Sequence, residues 1–261
     1  MKVHQNIVID SVDYGDKGSR KNSKFCNEGK WNNFIEPLLP EGEEMTFVDM
    51  GSNAGMYLKL AQSKFKKVFG MEADTNPYHV ATRYVDCEMI NATLDENFNY
   101  DSIPVADVTL LANFHYHIFT PVFLHYVNML RRKSRYVIIV SARIDTKIHF
   151  PDTGLDSLRE YFKLWEEVGV VDNVSQVGDP HPRDMFSVAF KSELKRIPIS
   201  EIKAKMGRNG ELHYRAAVQR AKNVPYANPL LILKNGRIID GTHRLVALER
   251  QGYKTAIVEY V

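Results

Sequence analysis

The sequence predicts an α/β protein: a parallel sheet with helices on both faces, ending in an antiparallel pair of strands and followed by a small α+β unit. Three observations lead there. Strand-like apolar runs alternate with helix-like stretches from about residue 46 to residue 141. A glycine-rich turn, Asp49-Met50-Gly51-Ser52-Asn53-Ala54-Gly55, follows the first run, and an acid, Glu72, closes the second. Beyond residues 191–196 the composition shifts, and a hairpin and a short helix replace the long alternation.

Each element has its own signal. Residues 11–30 are polar and read as a loop or cap. Lys30-Trp31-Asn32-Asn33-Phe34-Ile35 reads as a short helix stopped by Pro37 and Pro40. Phe47-Val48 belongs to the first strand, Met56–Ala61 to a helix, and Lys67–Met71 to the second strand, with Glu72 at its C-terminal end. A helix over Tyr78–Val85 precedes a third strand, Glu88–Ile90, with Asn91-Ala92-Thr93 at its end. Ala106–Leu111 is a fourth strand, Pro121–Leu130 a helix and Arg135–Ser141 a fifth strand. Leu158, Tyr161, Phe162 and Trp165 fall at helical spacing and predict a helix from Leu155 to Val168. Val170–Val177 and Met185–Lys191 read as strands joined by the polar turn Gly178–Arg183, short enough for an antiparallel pair. The second unit begins at Arg196, with Ile197–Ile202 looking like its opening strand. A helix over residues 211–222 follows, then strands Pro229–Leu233 and Arg237–Asp240 around the turn Asn235-Gly236. A helix from Gly241 to Glu249 and a last strand, Ala256–Tyr260, complete it. The expected domains are 1–194, with residues 1–44 as a substrate cap, and 195–261.

Composition narrows the function classes. The chain has 261 residues, 44% of them hydrophobic and 25% charged, so it can bury a core of ordinary size. A net charge of +2 gives no general argument for nucleic acid or an anionic membrane. The two cysteines, Cys26 and Cys87, lack zinc-ligand spacing, so no metal is expected. The N-terminus lacks the apolar core of a signal peptide, and no apolar run approaches the ~20 residues of a membrane helix. Reduced thiols and a cytoplasmic location are the expectation.

The glycine turn carries the chemistry. Strand, glycine loop, helix, strand and acid make the βαβ unit of a nucleotide-type site: glycines let a ligand approach the backbone, and the acid accepts hydrogen bonds from ribose hydroxyls. The spacing Asp49-x-Gly51-x-Asn53-x-Gly55 does not fit the dinucleotide fingerprint. It resembles motif I of the class I S-adenosylmethionine-dependent methyltransferases, a likeness covering roughly residues 30–192 and implying a Rossmann-like sheet. The resemblance implies that Asp49, Gly51, Asn53 and Gly55 surround the methionine part of the cofactor and that Glu72 binds the ribose. It places Asn91 and Ala92 near the adenine, Asn91 standing where Asp is common.

The segment after the fourth strand, Asn113-Phe114-His115-Tyr116-His117, should face the transferred methyl group, because ligands sit at the C-terminal ends of strands in such sheets. Asn113 joins the expected cofactor contacts. A neutral imidazole can take a proton from an acceptor hydroxyl or amine, and His115 and His117 are the candidate bases; in an extended segment they would project the same way. Lys30, Trp31 and Arg183 are candidate contacts for an anionic acceptor.

A second constellation is Asp240-Gly241-Thr242-His243-Arg244. A glycine that frees the backbone, a helix N-terminus, a hydroxyl and two basic side chains form a phosphate cradle. The pattern resembles the ParB/sulfiredoxin-like fold over residues 195–261, which implies phosphate or nucleotide binding. DNA partition is not expected.

The combined expectation is a methyltransferase using S-adenosyl-L-methionine on an anionic or phosphate-bearing small molecule, with oxygen the acceptor atom. No membrane partner is expected, a homodimer is possible, and nucleic acid is not favoured. The alternatives are an RNA methyltransferase, a nucleotide-dependent kinase run by residues 195–261, and a pure binding module.

Overall fold

The computed structural model describes residues 8–9, 12–13, 27–42, 44–118, 120–142, 154–173, 185–220 and 231–261. Two short strands, β1 (Val8–Ile9) and β2 (Val12–Asp13), pair antiparallel. Helix α1 (Asn27–Lys30) runs on through a wide turn, Trp31–Ile35, and a tight one, Glu36–Leu38. Pro37 therefore does not stop the helix: it sits in the first turn of the tight segment, where its missing N–H costs little.

The main sheet alternates as expected. In chain order come β3 (Thr46–Met50), α2 (Met56–Ala61), β4 (Lys67–Glu72), α3 (Thr75–Tyr84), β5 (Glu88–Asn91) and β6 (Ala106–Ala112). Helix α4 (Thr120–Leu130), β7 (Ser134–Ala142), α5 (Leu155–Tyr161), β8 (Glu166–Asn173) and β9 (Met185–Lys191) follow. The strand order is β5-β4-β3-β6-β7-β9-β8. The first five run parallel, while β9 is antiparallel to both β7 and β8. The order reverses between β3 and β6, which opens a crevice at their carboxyl ends.

Side-chain alternation divides the core between the two faces of this sheet. Val137 and Ile139 face Phe123, Tyr126 and Leu130 of α4 and Leu158 of α5. Ile138 and Val140 face Tyr57, Leu58 and Ala61 of α2, together with Trp31, Phe34 and Ile35.

The structure shortens one predicted helix. Phe162 leaves helical geometry, and Glu166–Val168 belong to β8. Leu158, Phe162 and Trp165 are all buried nonetheless: a turn delivers Phe162 and Trp165 to the core instead of a longer helix.

The second unit holds β10 (Lys195–Pro198), α6 (Ile199–Ala204), α7 (Arg208–Arg220), β11 (Leu231–Lys234), β12 (Arg237–Asp240), α8 (Thr242–Arg250) and β13 (Thr255–Tyr260). Its sheet order is β10-β13-β11-β12, around a separate core that includes Ile199, Ile202, Leu233, Leu245 and Val258. The expected opening strand over Ile197–Ile202 stops at Pro198. Ile199 and Ile202 are three residues apart, and a helical turn buries both. Asn235 and Gly236 both take positive φ, as a two-residue hairpin between right-twisted strands requires.

The second unit docks on the amino ends of the parallel strands. Leu194 and Ile257 pack on Val105. Arg196 donates to both carboxylate oxygens of fully buried Asp107, where Arg135 Nη1 also donates at 2.7 Å. The Thr46 amide donates to Asp107 Oδ2 at 2.9 Å. Lys66 Nζ donates to the Gly252 carbonyl, and the Lys254 amide to Glu44.

Candidate functional site

The crevice at the carboxyl ends of β3 and β6 gathers most of the residues expected at a cofactor site. The chain leaves β3 at Met50 and turns at once, with Gly51 and Gly55 in the left-handed region at φ 74° and 86°. A side chain at either would be strained by backbone geometry and contact alike: a Cβ on Gly51 would come within 2.5 Å of Phe114 Cδ2, and one on Gly55 within 2.8 Å of Val85. The Gly51 and Ser52 amides donate to the Met71 carbonyl at 2.8 and 2.9 Å, tying the loop to β4.

Glu72 ends β4 almost buried. Its Oε2 accepts from the Asn53 amide at 2.7 Å and its Oε1 from the Asp74 amide at 2.8 Å. Burial raises its pKa, and these backbone hydrogen bonds partly offset the rise. The Asn53 φ of 50° aims its amide at the acid. Asn91 Nδ2 donates to the carbonyls of Glu72 and Ala73, and the Ala92 amide donates to Glu72 O. Asn91 thus braces the tip of β4, leaving its own carbonyl oxygen as an acceptor.

Asp49 is 1% exposed, and neither carboxylate oxygen has a hydrogen-bond partner among the described residues. Burial, and then the charge of Glu72, raises its pKa well above the usual carboxylate range.

Asn113 leaves β6 at φ 53°, its amide bonded to the Val140 carbonyl at 2.8 Å. His115–His117 is a tight helical turn, not an extended segment, so the two histidines do not project the same way. His115 is 4% exposed with its ring centroid 5.9 Å from that of Phe123, while His117 is exposed. A rise of about 2 Å per residue turns the side chain two positions on through most of a revolution.

The expected cap residues behave differently. Trp31 is 2% exposed and packs in the core against Phe47 and Tyr57, ring centroids 6.0 and 6.4 Å apart. It is a core residue and not an acceptor contact. Lys30 is half-buried beside it. Arg183 lies outside the described residues.

The second constellation comes together at the far side of the second unit. Asp240 pairs with Arg244, whose charge and hydrogen bond hold the Asp240 carboxyl below its usual pKa. Gly241 precedes α8, and His243 is exposed on its first turn. A cleft of about 840 Å³ lies between the starts of α7 and α8. Arg208, His213 and Arg237 line it beside Thr242, His243 and Arg244; sequence reasoning missed the first three because they come from a different helix and strand. Strands β10 and β13 carry the docking contacts, so the cleft faces away from the β3–β6 crevice. The two constellations do not share one site. Among the described residues no group of three or more His, Cys, Asp or Glu side chains could hold a metal ion. No helix among them is long and apolar enough to cross a membrane.

No protein-family model matches the sequence, and no curated protein matches it. Solved structures do match. The N-methyltransferase NodS from Bradyrhizobium japonicum WM9 superposes with a TM-score of 0.53 at 13% identity, over 66% of this chain and 98% of NodS. The fold is that of the class I S-adenosylmethionine-dependent methyltransferases. NodS in complex with S-adenosyl-L-homocysteine matches at 12% identity and TM-score 0.46, over 57% of this chain and 78% of its own. The PH0226 protein from Pyrococcus horikoshii OT3 matches at 12% and 0.49, over 68% and 97%. At these identities the likeness is one of fold, and the matched length leaves room for a unit outside the methyltransferase fold.

Proposed function

We propose that the chain is an S-adenosylmethionine-dependent methyltransferase that methylates an oxygen of a small anionic acceptor. The observation that carries the reading is Asp49: a buried carboxyl whose two oxygens have no hydrogen-bond partner among the described residues, at the carboxyl end of β3 where the strand order reverses. A buried polar group left unpaired is costly, and the ammonium of a bound amino acid moiety would offset that cost. The residues fit the cofactor in three further ways. Gly51 and Gly55 take left-handed φ that keeps the loop tight at the carboxyl end of β3, and a side chain at either would push Phe114 or Val85 aside. Both Glu72 oxygens accept backbone N–H groups, and a carboxylate's acceptor capacity leaves room for a ribose hydroxyl as well. Asn91 keeps its carbonyl oxygen for the base.

When bound, S-adenosylmethionine supplies a methyl group on a positively charged sulfur. The protein's own work is then to orient the acceptor and exclude water, which for a group transfer carries much of the rate. We assign His117, exposed in the turn after β6, the role of accepting a hydroxyl proton on an imidazole nitrogen. His115 packs against Phe123 and holds the turn. The basic residues expected at the acceptor from the sequence, among them Lys30 and Arg183, are the reason for reading the acceptor as anionic. We assign the second unit, as a ParB/sulfiredoxin-like module, the binding of phosphate in its own cleft; the cleft's distance from β3 makes that ligand a separate molecule from the acceptor.

Incubation with methyl-labelled donor and an anion-exchange-fractionated metabolite extract tests the reading. Label is expected in a low-molecular-mass anionic fraction, in an alkali- or acid-characterised oxygen ester or ether. Label in RNA, or in none of the fractions, contradicts it.

A further inference from the structure

Phe114 was not among the residues singled out from the sequence, yet it stands at the centre of the crevice. Its position is fixed on three sides. Asn113 before it is pinned to β7 through the Val140 carbonyl, and the Phe114 carbonyl accepts from the His117 amide at 3.0 Å. Its ring packs at the border of the core that contains Met50 and Leu111. The nearest ring atoms to the Cβ position of Gly51 are Cδ2 and Cε2, at 2.5 and 3.1 Å. The ring therefore meets Gly51 through its Cδ2–Cε2 edge. Phe114 is half-buried, so the ring keeps contact with the open space.

The place of the donor's sulfur follows from the strand order. With the ribose hydroxyls on Glu72 at the tip of β4 and the amino acid moiety at Asp49 in β3, the sulfur that links ribose to amino acid lies between or just beyond these two. Neighbouring strands are about 4.8 Å apart, so Asp49 and Glu72 would hold the donor across the β3 turn, with Gly51 and Phe114 the residues next to its sulfur. An aromatic face attracts a cation within about 6 Å of its centre, whereas a neutral thioether gains only dispersion there. Asp49 and Glu72 flank this spot; burial raises the pKa of both, and a cation bound between them would favour their ionised forms.

We propose that Phe114 is a donor-specificity residue, whose ring lies against the sulfonium of S-adenosylmethionine and makes the site prefer the charged donor over the neutral product, S-adenosylhomocysteine. The inference rests on the donor reading given above and adds to it a way of releasing product: loss of the methyl group removes the charge that the ring holds.

Calorimetric titration of both ligands separates the two claims. In Phe114→Leu the affinity for S-adenosylmethionine is expected to fall about 3- to 30-fold, while that for S-adenosylhomocysteine changes less than about 2-fold. Phe114→Tyr, which keeps the ring, should keep the wild-type ratio of affinities. Phe114→Met, another ring-free apolar side chain, serves if the Leu variant does not fold. An equal loss for both ligands, or no loss for either, overturns the role of the ring while leaving the donor reading standing. Failure of the wild-type protein to bind either ligand overturns the donor reading, and this inference with it.

Discussion

Asp49 sets a conflict between stability and function at the scale of one side chain. Its folded pKa is raised, so the native state holds a proton that the unfolded chain gives up above about pH 4. Stability is therefore lost as pH rises from there toward the folded pKa. Asp49→Asn removes the ionisation, and its melting temperature is expected to exceed that of the wild type, by more at pH 8 than at pH 5. The same variant should bind S-adenosylmethionine at least about 10-fold more weakly, because a neutral amide cannot pair an ammonium as a carboxylate does. Thermal melts at two pH values and one titration check both halves. The glycine turn and the acid were legible in the sequence: the loop from Gly51 to Gly55 leaves the first strand of the sheet, Glu72 ends the next, and the Asn53 amide reaches Glu72. The roles of the aromatic and histidine residues were not. Trp31 near a glycine loop and His115 near a strand end look alike in sequence, whether they face ligand or core. Only packing separates them, and both prove to be buried.

At the scale of elements, periodicity located the strands of the main sheet and most of its helices, because alternating burial leaves a period of two and helices leave one of 3.6. It failed where a turn mimics a helix. Leu158, Phe162 and Trp165 keep helical spacing through a chain that has already left the helix, and Ile199 with Ile202 looked extended beside the strand before them. The segment from Asn27 to Leu38 carries a second consequence. Since Trp31 is packed on Phe47 and Tyr57, Trp31→Ala should destabilise the fold by about 3–5 kcal/mol in denaturant unfolding. The KM for acceptor should hardly change in protein that remains folded. A large rise in KM with unchanged stability would return Trp31 to the acceptor site.

For the whole molecule the seam between the two units decides whether they act as one body. The unit boundary is visible in the sequence as a change of pattern, but the seam is not: Asp107, Arg135 and Arg196 are distant in the chain and carry no motif. Burial alone would raise the pKa of Asp107. The hydrogen bonds and charge of Arg196, with those of Arg135 and Thr46, instead hold it below the usual value. Its contribution to stability is thus fully present above about pH 4 and is lost as pH falls through the lower folded pKa. Arg196→Ala is expected to cost about 3–5 kcal/mol at neutral pH, since it leaves a buried carboxylate short of a partner, and less below about pH 3. Arg132→Ala, which breaks an exposed pair with Glu259, should cost about 1 kcal/mol or less. Urea unfolding across pH distinguishes the two; equal small effects would mean that the units are joined only loosely.

The central claim is that the crevice between β3 and β6 holds a methyl donor. Calorimetric titration of S-adenosylmethionine into the wild-type protein and into Glu72→Ala tests it most directly. One molecule should bind per chain, and removal of the Glu72 carboxylate should weaken binding by at least about 10-fold. No binding to the wild type, or the same affinity in Glu72→Ala, would contradict it.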